Sequence, residues 1–204
     1  MVWIIVAIVV VIVLFVVVAF NGLVRRRNRT QEAWSQIDVE LKRRHDLIPN
    51  LVETVKGYAA HERGTFEAVT NARAAAVNAG ASGDPAKVGQ AENMLTGALR
   101  SLFAVAEAYP DLKASQNFSQ LQEEITATED KIEFARRYYN TSVRDYNTAI
   151  QTFPRNLMAG MLGFHQMQYF EIDQPAEREV PQVDFGSGSA STPPAPPAPP
   201  PAQS

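Results

Sequence analysis

Apolar residues recur along most of the chain in steps of three and four, an average spacing of about 3.5 positions. One series covers 34–76, a second covers 88–109 and a third covers 118–153. This spacing places the apolar side chains of each series on one helix face, which other helices must cover, as in a coiled coil. The pattern therefore predicts three long helices packed against one another.

The first series keeps its phase through a proline. The helical pattern extends over 21–79, and Pro49 is the one serious helix breaker within it. Proline cannot donate a hydrogen bond to the carbonyl of His45, so we expect a kink there. Asp46 precedes the proline by three residues and could cap a restarted helix. Because the phase is unbroken, we expect one bent helix over the whole range.

The second helix has clear start and stop signals. Asp84 followed by Pro85 offers a capping carboxylate and then a proline in the first turn, and Pro110 ends the pattern. The apolar face is rich in alanine and is interrupted by Gly89 and Gly97. We expect these glycines to allow close approach of a neighbouring helix.

The C-terminal part is predicted to be one long helix followed by progressively less regular chain. The third helix is expected from about Ser115 to Phe153, and a short fourth over 155–162 is ended by Gly163. The bundle then covers 22–172, and 173–185 should be an irregular extension. The tail, 186–204, is rich in proline and alanine and is expected to be disordered, with polyproline II character. It is either a solvated spacer or a ligand for an aromatic groove.

Residues 1–20 are apolar without interruption. Twenty helical residues span about 30 Å, the thickness of a bilayer core, so 1–21 is predicted to be a transmembrane anchor. A cleaved signal peptide is the alternative, because Val17-Val18-Ala19 resembles a cleavage site. The apolar run is longer than the usual signal core and no basic residue precedes it, which favours a retained anchor.

Four arginines follow the apolar run directly: Arg25, Arg26, Arg27 and Arg29. The anchor is expected in the inner cell membrane. The positive-inside rule then places the bundle in the cytoplasm and the N-terminus outside. The same side chains can also contact anionic headgroups, each contributing on the order of 1 kcal/mol. They either fix topology alone or bind lipid specifically.

Composition excludes several classes of function. The formal net charge of the 204 residues is −3, so the chain as a whole is not an electrostatic nucleic-acid binder. Cysteine is absent, which removes disulfides, thiolate metal sites and thiol catalysis. After the anchor and tail are set aside, one domain of about 160 residues remains.

Several polar residues fall on or beside the predicted buried faces. The candidates for a buried polar network are Arg44, His45, Glu62, Arg136, Tyr139 and Tyr146. The pairs Tyr139-Asn140 and Tyr146-Asn147 are seven residues apart and therefore project from one helix face. A buried charge needs a partner, so one interpretation is an internal network that fixes helix register. The other is a polar groove for a ligand or partner.

No catalytic or metal-binding motif is present. Carboxylate-bridged metal bundles place a glutamate three residues before a histidine, whereas Lys42, Tyr58 and Leu162 occupy those positions before the three histidines here. Phosphate-binding loops and nucleophile elbows are also absent. We therefore expect neither a cofactor nor an enzymatic activity.

Short stretches distributed over 1–172 follow the pattern of a known family. They are Ala33-Trp-Ser-Gln-Ile-Asp-Val, Leu41-Lys-Arg-Arg-His-Asp-Leu-Ile-Pro-Asn-Leu-Val-Glu-Thr-Val-Lys-Gly-Tyr, Tyr109-Pro-Asp-Leu-Lys, Leu121-Gln-Glu-Glu-Ile, Ala135-Arg-Arg-Tyr-Tyr-Asn, Tyr146-Asn and Phe153-Pro-Arg-Asn. On these stretches the chain resembles the LemA family of bacterial membrane-anchored helical proteins. The resemblance implies a membrane anchor and a cytoplasmic antiparallel helical bundle, and it implies no established enzymatic activity. The proline-rich tail departs from the family pattern.

The sequence therefore predicts an all-α protein: a transmembrane helix followed by an up-and-down antiparallel bundle of three long helices and a short fourth. The expected function is a non-enzymatic interaction or scaffold module. Its expected partners are the lipid bilayer and proteins of unknown identity, with self-association left open. The alternatives are a bundle that binds a small molecule or metal, and a membrane-organising protein that binds anionic lipid through its arginines.

Overall fold

The computed structural model describes residues 1–171, and the part of the chain it describes is helical with no strand. The helices are α1 (Val2–Lys56), α2 (Arg63–Gly80), α3 (Pro85–Glu107), α4 (Pro110–Lys113), α5 (Gln116–Gln151) and α6 (Asn156–Ala159). The predicted all-α class is confirmed. The predicted bundle limit at 172, the extension over 173–185 and the tail over 186–204 lie at or beyond the end of the described residues.

The single bent helix expected over 21–79 is wrong, because the structure has two helices there. α1 continues through Pro49 to Lys56, and a turn over 57–62 leads into α2. α2 folds back along α1, where the Arg73 side chain donates a 2.6 Å hydrogen bond to the carbonyl of His45. The apolar phase survives the turn because residues on both sides of it are buried in one core. Phase alone therefore does not distinguish a long helix from a hairpin.

Asp46 has a different role from the one expected. The helix does not restart at Pro49, so no cap is needed there, and the Asp46 carboxylate instead accepts a 3.1 Å hydrogen bond from Lys42, one turn earlier on the exposed face. Exposed pairs at this spacing contribute only about 0.3–0.5 kcal/mol.

α1 and α5 run antiparallel and form the main axis of the bundle. Arg29 contacts Tyr138, and further along α1 Arg44 contacts Glu129, so residue numbers rise on one helix as they fall on the other. α2 packs chiefly on α3, and these helices cover the half of α1 that is farther from the apolar run. Four helices thus share the core where three long ones were expected, because the first was divided.

The start of α3 agrees with the prediction. The Asp84 side chain accepts a 3.0 Å hydrogen bond from the amide of Ala86, and Pro85 occupies the first turn. The glycine prediction is half right. A Cβ on Gly89 would lie 2.4 Å from the carbonyl oxygen of Glu171, so the close neighbour is the C-terminal segment, while a Cβ on Gly97 would meet nothing within 4 Å.

The chain reverses direction after α5. This helix ends within two residues of its predicted limit, but α6 is one turn and shorter than the helix expected over 155–162. Gly163 adopts a φ of 74°, a left-handed conformation that suits glycine. Residues 164–171 then run back along α5 without regular secondary structure, and we call them the return segment.

The N-terminal part of α1 stands apart from the core. The side chains of residues 1–15 are exposed, and within 1–171 α1 is the one helix long and apolar enough to cross a membrane, with a mean hydropathy of 3.6 in its most apolar window. Aliphatic residues that no protein covers require another apolar environment. This property agrees with a membrane anchor.

Candidate functional site

A buried charged cluster lies in the middle of the bundle where α1, α3 and α5 meet. Arg44 and Glu92 are both fully buried, and the Arg44 guanidinium donates one hydrogen bond to Glu92 and another to Glu129. The same Arg44 group also reaches the Thr96 hydroxyl, at 3.3 Å. We call these four residues, with His45, the central cluster. One arginine on α1 thus ties two other helices together.

His45 completes the coordination of Glu92. Its Nε2 atom lies 2.8 Å from Glu92 Oε1, and because an ionised carboxylate only accepts, the ring nitrogen must donate. Burial alone would raise the pKa of Glu92, but the His45 hydrogen bond and the Arg44 charge outweigh it, so the pKa lies below its ordinary value. Glu92 is therefore an anion held by two donors from α1.

The buried charges of the central cluster are largely paired and hydrogen-bonded within the protein. A buried ion pair loses hydration that its mutual attraction must offset, and it is secure only when further hydrogen bonds satisfy it. Glu129 and Thr96 supply these bonds, although Arg44 Nε is buried without a partner among the described residues. The arrangement specifies which faces of three helices meet. It is consistent with the register-fixing interpretation.

A cavity of about 400 Å³ opens beside the cluster between α1, α2 and α3. His45 and Glu92 contribute to its wall, together with Asp38 and Arg73, and burial raises the pKa of Asp38. Residues 1–171 contain no group of three histidines, aspartates or glutamates placed to hold a metal ion. The most buried acid in the cavity wall, Glu92, is already bonded to Arg44 and His45.

Two asparagines on α5 hold the return segment. The Asn147 side chain accepts from the amide of Met167 and donates to its carbonyl, each at 2.9 Å. Asn140 makes the same pair of bonds with Phe170, at 2.9 and 3.0 Å. Seven helical residues rise about 10.5 Å, and three extended residues cover about 10 Å. The spacing of the asparagines thus matches every third residue of an extended chain.

Aromatic contacts add to this attachment. The Trp34 ring packs at 5.2 Å from Tyr139 and at 5.4 Å from Phe170. The Tyr139 hydroxyl donates a 2.9 Å hydrogen bond to the carbonyl of Gln168, and burial raises the pKa of Tyr139 to about 12. The polar face expected on α5 is therefore occupied by the chain itself.

The contacts described within residues 1–171 do not join the six residues predicted for a buried network into a single network. Arg44 and His45 belong to the central cluster, and Tyr139 binds the return segment. Tyr146 is buried near Leu23, where burial raises its pKa against the opposing charge of Arg27. Glu62 is half-buried at the N-terminus of α2, outside the central cluster.

Arg136 is buried on α5 at 9 % exposure. Glu92 and Glu129 were missed, although each stands four residues after one core residue and three before the next. That spacing was a usable signal for both glutamates, since it places them on the buried faces of their helices.

The four arginines after the apolar run differ in their surroundings. Arg25 and Arg26 are exposed. Arg27 lies over the Phe164 ring, 5.6 Å from its centroid, and Arg29 donates a 3.0 Å hydrogen bond to the Tyr138 hydroxyl. Two arginines are thus engaged by the bundle, and two are available to other groups.

An open groove of about 670 Å³ runs between α1 and α5 on the outer surface. Val39 and Phe134 line it and are 65 % and 74 % exposed. Its charged residues are Glu32, Glu40, Asp130 and Lys131. Glu40 Oε2 is buried and has no hydrogen-bond partner among the described residues. We call this surface the α1–α5 groove.

Comparison with known proteins gives one consistent family. A model described as the LemA family matches residues 33–185. Protein LemA of Metamycoplasma hominis is 31 % identical over 165 residues, which cover 80 % of this chain and 72 % of that protein. Magnetosome protein MamQ of Magnetospirillum gryphiswaldense is 27 % identical over 180 residues, covering 77 % of this chain and 66 % of MamQ. Magnetosome protein MamQ 2 of Paramagnetospirillum magneticum is 27 % identical over 183 residues, with the same two coverages.

Proposed function

This chain belongs to the LemA family, and from that membership we propose that it is a membrane-anchored interaction module that catalyses no reaction. The apolar run of α1 anchors it in the cell membrane as a single span. The basic flank formed by Arg25 and its neighbours supports an orientation with the bundle in the cytoplasm and the N-terminus outside.

The observation that carries the proposal is the contrast between the interior and the α1–α5 groove. Inside, the Glu92 carboxylate and the polar atoms of Asn140 and Asn147 are bonded within the chain. On the surface, Val39 and Phe134 line the same groove and remain exposed. An apolar surface rimmed by polar groups is typical of protein docking sites.

The chemistry of the groove defines the partner. Three carboxylates and one lysine line it, and the unpartnered Glu40 oxygen requires a donor. A helix with an apolar face flanked by arginine or lysine would cover Val39 and Phe134 and supply that donor. The partner is therefore a basic amphipathic helix, from another protein or from a second copy of this chain.

Photocrosslinking in intact membranes tests this proposal. A benzophenone residue at Phe134 should give a discrete protein adduct, and the same group at Met94, a 55 % exposed position on α3, should not. Glu40→Lys should remove the adduct by repelling a basic partner, whereas Glu133→Lys should not. An adduct that forms equally at both positions, or that ignores Glu40→Lys, would contradict the proposal. An adduct with the mass of two copies would identify self-association.

A rival function is binding of a small polar molecule or a metal, because the cavity beside His45 and Glu92 has the volume of a ligand site. Thermal-shift screening and metal analysis of the purified full chain in detergent address it. We expect neither a bound metal nor a ligand-dependent shift, since Glu92 is already satisfied. A reproducible shift that Asp38→Asn abolishes would favour the rival.

A further inference from the structure

Outside the apolar run of α1, exposed apolar side chains are concentrated in the turn that follows α5. Phe153, Leu157, Met161 and Leu162 are 74, 68, 89 and 38 % exposed. The large exposed apolar side chains of α2 and α3, Val77 and Met94, instead stand singly, and Phe134 on α5 shares the α1–α5 groove with Val39 alone. Single exposed apolar residues are ordinary on a protein surface, whereas a cluster needs an occupant.

This turn lies against the part of α1 where the apolar run ends. Ala159 and Phe164, on either side of Met161 and Leu162, pack in one cluster with Leu23. The ring of Phe164 lies 5.6 Å from that of Phe20, the last residue of the apolar run. We call this end of the bundle, which contains the turn and the part of α1 near Phe20, the anchor end.

The folded bundle overlaps the apolar run at the anchor end. Residues 1–15 are exposed, but Val16 is half-buried and Ala19 is only 2 % exposed. From Val16 to Phe20 the helix rises about 6 Å. Protein atoms therefore cover one face of α1 over roughly its last apolar turn, at a depth where a bilayer holding residues 1–20 would still have acyl chains.

We propose that the turn over 152–163 is a second membrane contact, with the side chains of Phe153, Leu157, Met161 and Leu162 inserted into the bilayer beside α1. This inference rests on the proposed anchor. Its occupant is lipid because the patch continues the surface that the apolar run already presents. Interfacial protein segments enter about 5–10 Å into the headgroup and acyl boundary, which matches the overlap on α1.

Charged groups at the same end fit this placement. Arg25 and Arg26 are exposed within two turns of Phe20, and Arg155 lies in the turn itself. Arginine places its aliphatic stem along apolar surface and its guanidinium at the phosphates. The anchor end thus combines inserted apolar side chains with cations at headgroup level.

A second contact would fix the bundle relative to the membrane. A single helix entering the bilayer leaves tilt and rotation to its surroundings. With both α1 and the turn embedded, α5 rises from the surface in a defined direction. The α1–α5 groove would then be held about 25 Å from the anchor end, since Phe134 stands seventeen residues before the end of α5 at Gln151.

Site-specific fluorescence on the full chain tests the inference, and the absence of cysteine makes single labelling clean. Cysteine replaces Phe153, Met161, Phe134 or Val10 one at a time and carries a polarity-sensitive probe. The protein is reconstituted in phosphatidylcholine–phosphatidylglycerol vesicles with and without spin-labelled phospholipid. Phe134 is the matched control, because it has the same 74 % exposure as Phe153. Val10 reports the anchor.

We expect blue-shifted emission and loss of most fluorescence to the lipid quencher at Val10, Phe153 and Met161, and no quenching at Phe134. If Val10 is quenched while Phe153 and Met161 behave like Phe134, the second contact is wrong and the anchor stands. If Val10 is also unquenched, the anchor itself is wrong. A blue shift at Phe153 and Met161 without quenching would mean that protein covers the turn, which overturns a lipid occupant.

Discussion

Proteins ordinarily bury apolar side chains and expose charged ones. The middle of the bundle and its anchor end each break one half of this rule. The middle buries charge, because Arg44 and Glu92 are wholly removed from solvent. The anchor end exposes apolar surface, because Phe153 and Met161 remain largely uncovered. In the middle, partners for the charges come from three helices of the same chain. At the anchor end, the described residues offer no cover.

This difference distinguishes unusual burial that serves the fold from unusual exposure that indicates a function. A charge that is buried but satisfied within the fold, as Glu92 is, fixes helix register and has little left to offer a ligand. An apolar surface that the fold leaves open indicates something outside the chain. By this criterion, we propose the anchor end and the α1–α5 groove as the functional surfaces.

The largest expected effect comes from breaking the central cluster. Glu92→Ala leaves Arg44 without its buried counter-charge and should lower the free energy of unfolding by about 3–5 kcal/mol. Chemical denaturation of the full chain in detergent micelles, followed by circular dichroism, measures this loss. The control is Glu133→Ala, which removes a surface ion pair with Arg137 and should cost about 0–1 kcal/mol. Equal losses in the two variants would contradict a structural role for the cluster.

A smaller effect is expected where α5 holds the return segment. Asn147→Ala removes the two hydrogen bonds to the part-buried amide and carbonyl of Met167, each contributing about 0.5–1.5 kcal/mol. We expect faster amide hydrogen exchange over 164–171 and unchanged exchange in α3. Thr148→Ala, on the exposed side of the same turn, should leave the segment protected. If both variants exchange alike, the asparagine contacts do not hold the segment.

Lowering the pH should gradually reduce the stability that Glu92 gives to the middle of the bundle. Because the pKa of Glu92 is lowered in the folded protein, its contribution to stability is complete above the ordinary value of 4.5 and is lost as pH falls through the folded pKa. Unfolding free energies measured at a series of acidic pH values should therefore decline more steeply for the native chain than for Glu92→Gln. Parallel profiles would show that Glu92 does not carry this dependence.

Raising the pH should also weaken the protein, but in a different place, where Tyr139 holds the return segment. The pKa of Tyr139 is raised from 10.0 to about 12, so its contribution is complete below 10 and is lost as pH rises towards the folded value. Ionisation also removes the proton donated to Gln168. We expect the return segment to lose exchange protection in this range, and Tyr139→Phe to abolish the pH dependence. A dependence that persists in Tyr139→Phe belongs to another group.

The smallest effect on stability is expected at the anchor end. Met161→Ser changes a side chain that is 89 % exposed, so the free energy of unfolding in micelles should stay within about 0.5 kcal/mol of the native value. Val69→Ser, at a fully buried position on α2, is the contrast and should be strongly destabilising. A large loss for Met161→Ser would mean that this residue supports the bundle and is not available to lipid.

The sequence predicted the positions of the helices better than it predicted which helices and side chains pack together. α3 and α5 were located closely because Asp84, Pro85 and Pro154 are strong local signals. The hairpin at 57–62 was missed because the apolar phase runs through it and Gly57 is a weak marker. The partners of Arg44 were missed because they depend on three helices meeting, which no local pattern encodes.

The return segment illustrates a second limit. The shared face of Asn140 and Asn147 was visible in their spacing, but its occupant was not. Residues 164–171 lack a helical period, so their course back along α5 has no signature of its own. The exposed residues at the anchor end were hidden in the same way. Leu157, Met161 and Leu162 were assigned to an ordinary fourth helix, and Phe153 was wrongly placed on the buried face of the third.

The most direct test compares two phenylalanines of equal exposure. Phe134 and Phe153 are each 74 % exposed, but one lines the α1–α5 groove and the other lies at the anchor end. The same benzophenone residue is placed at either position in the full chain in native membranes, and the adducts are identified by mass spectrometry. We expect protein adducts at Phe134 and phospholipid adducts at Phe153. The same adduct class at both positions would contradict the assignment of the two surfaces to different partners.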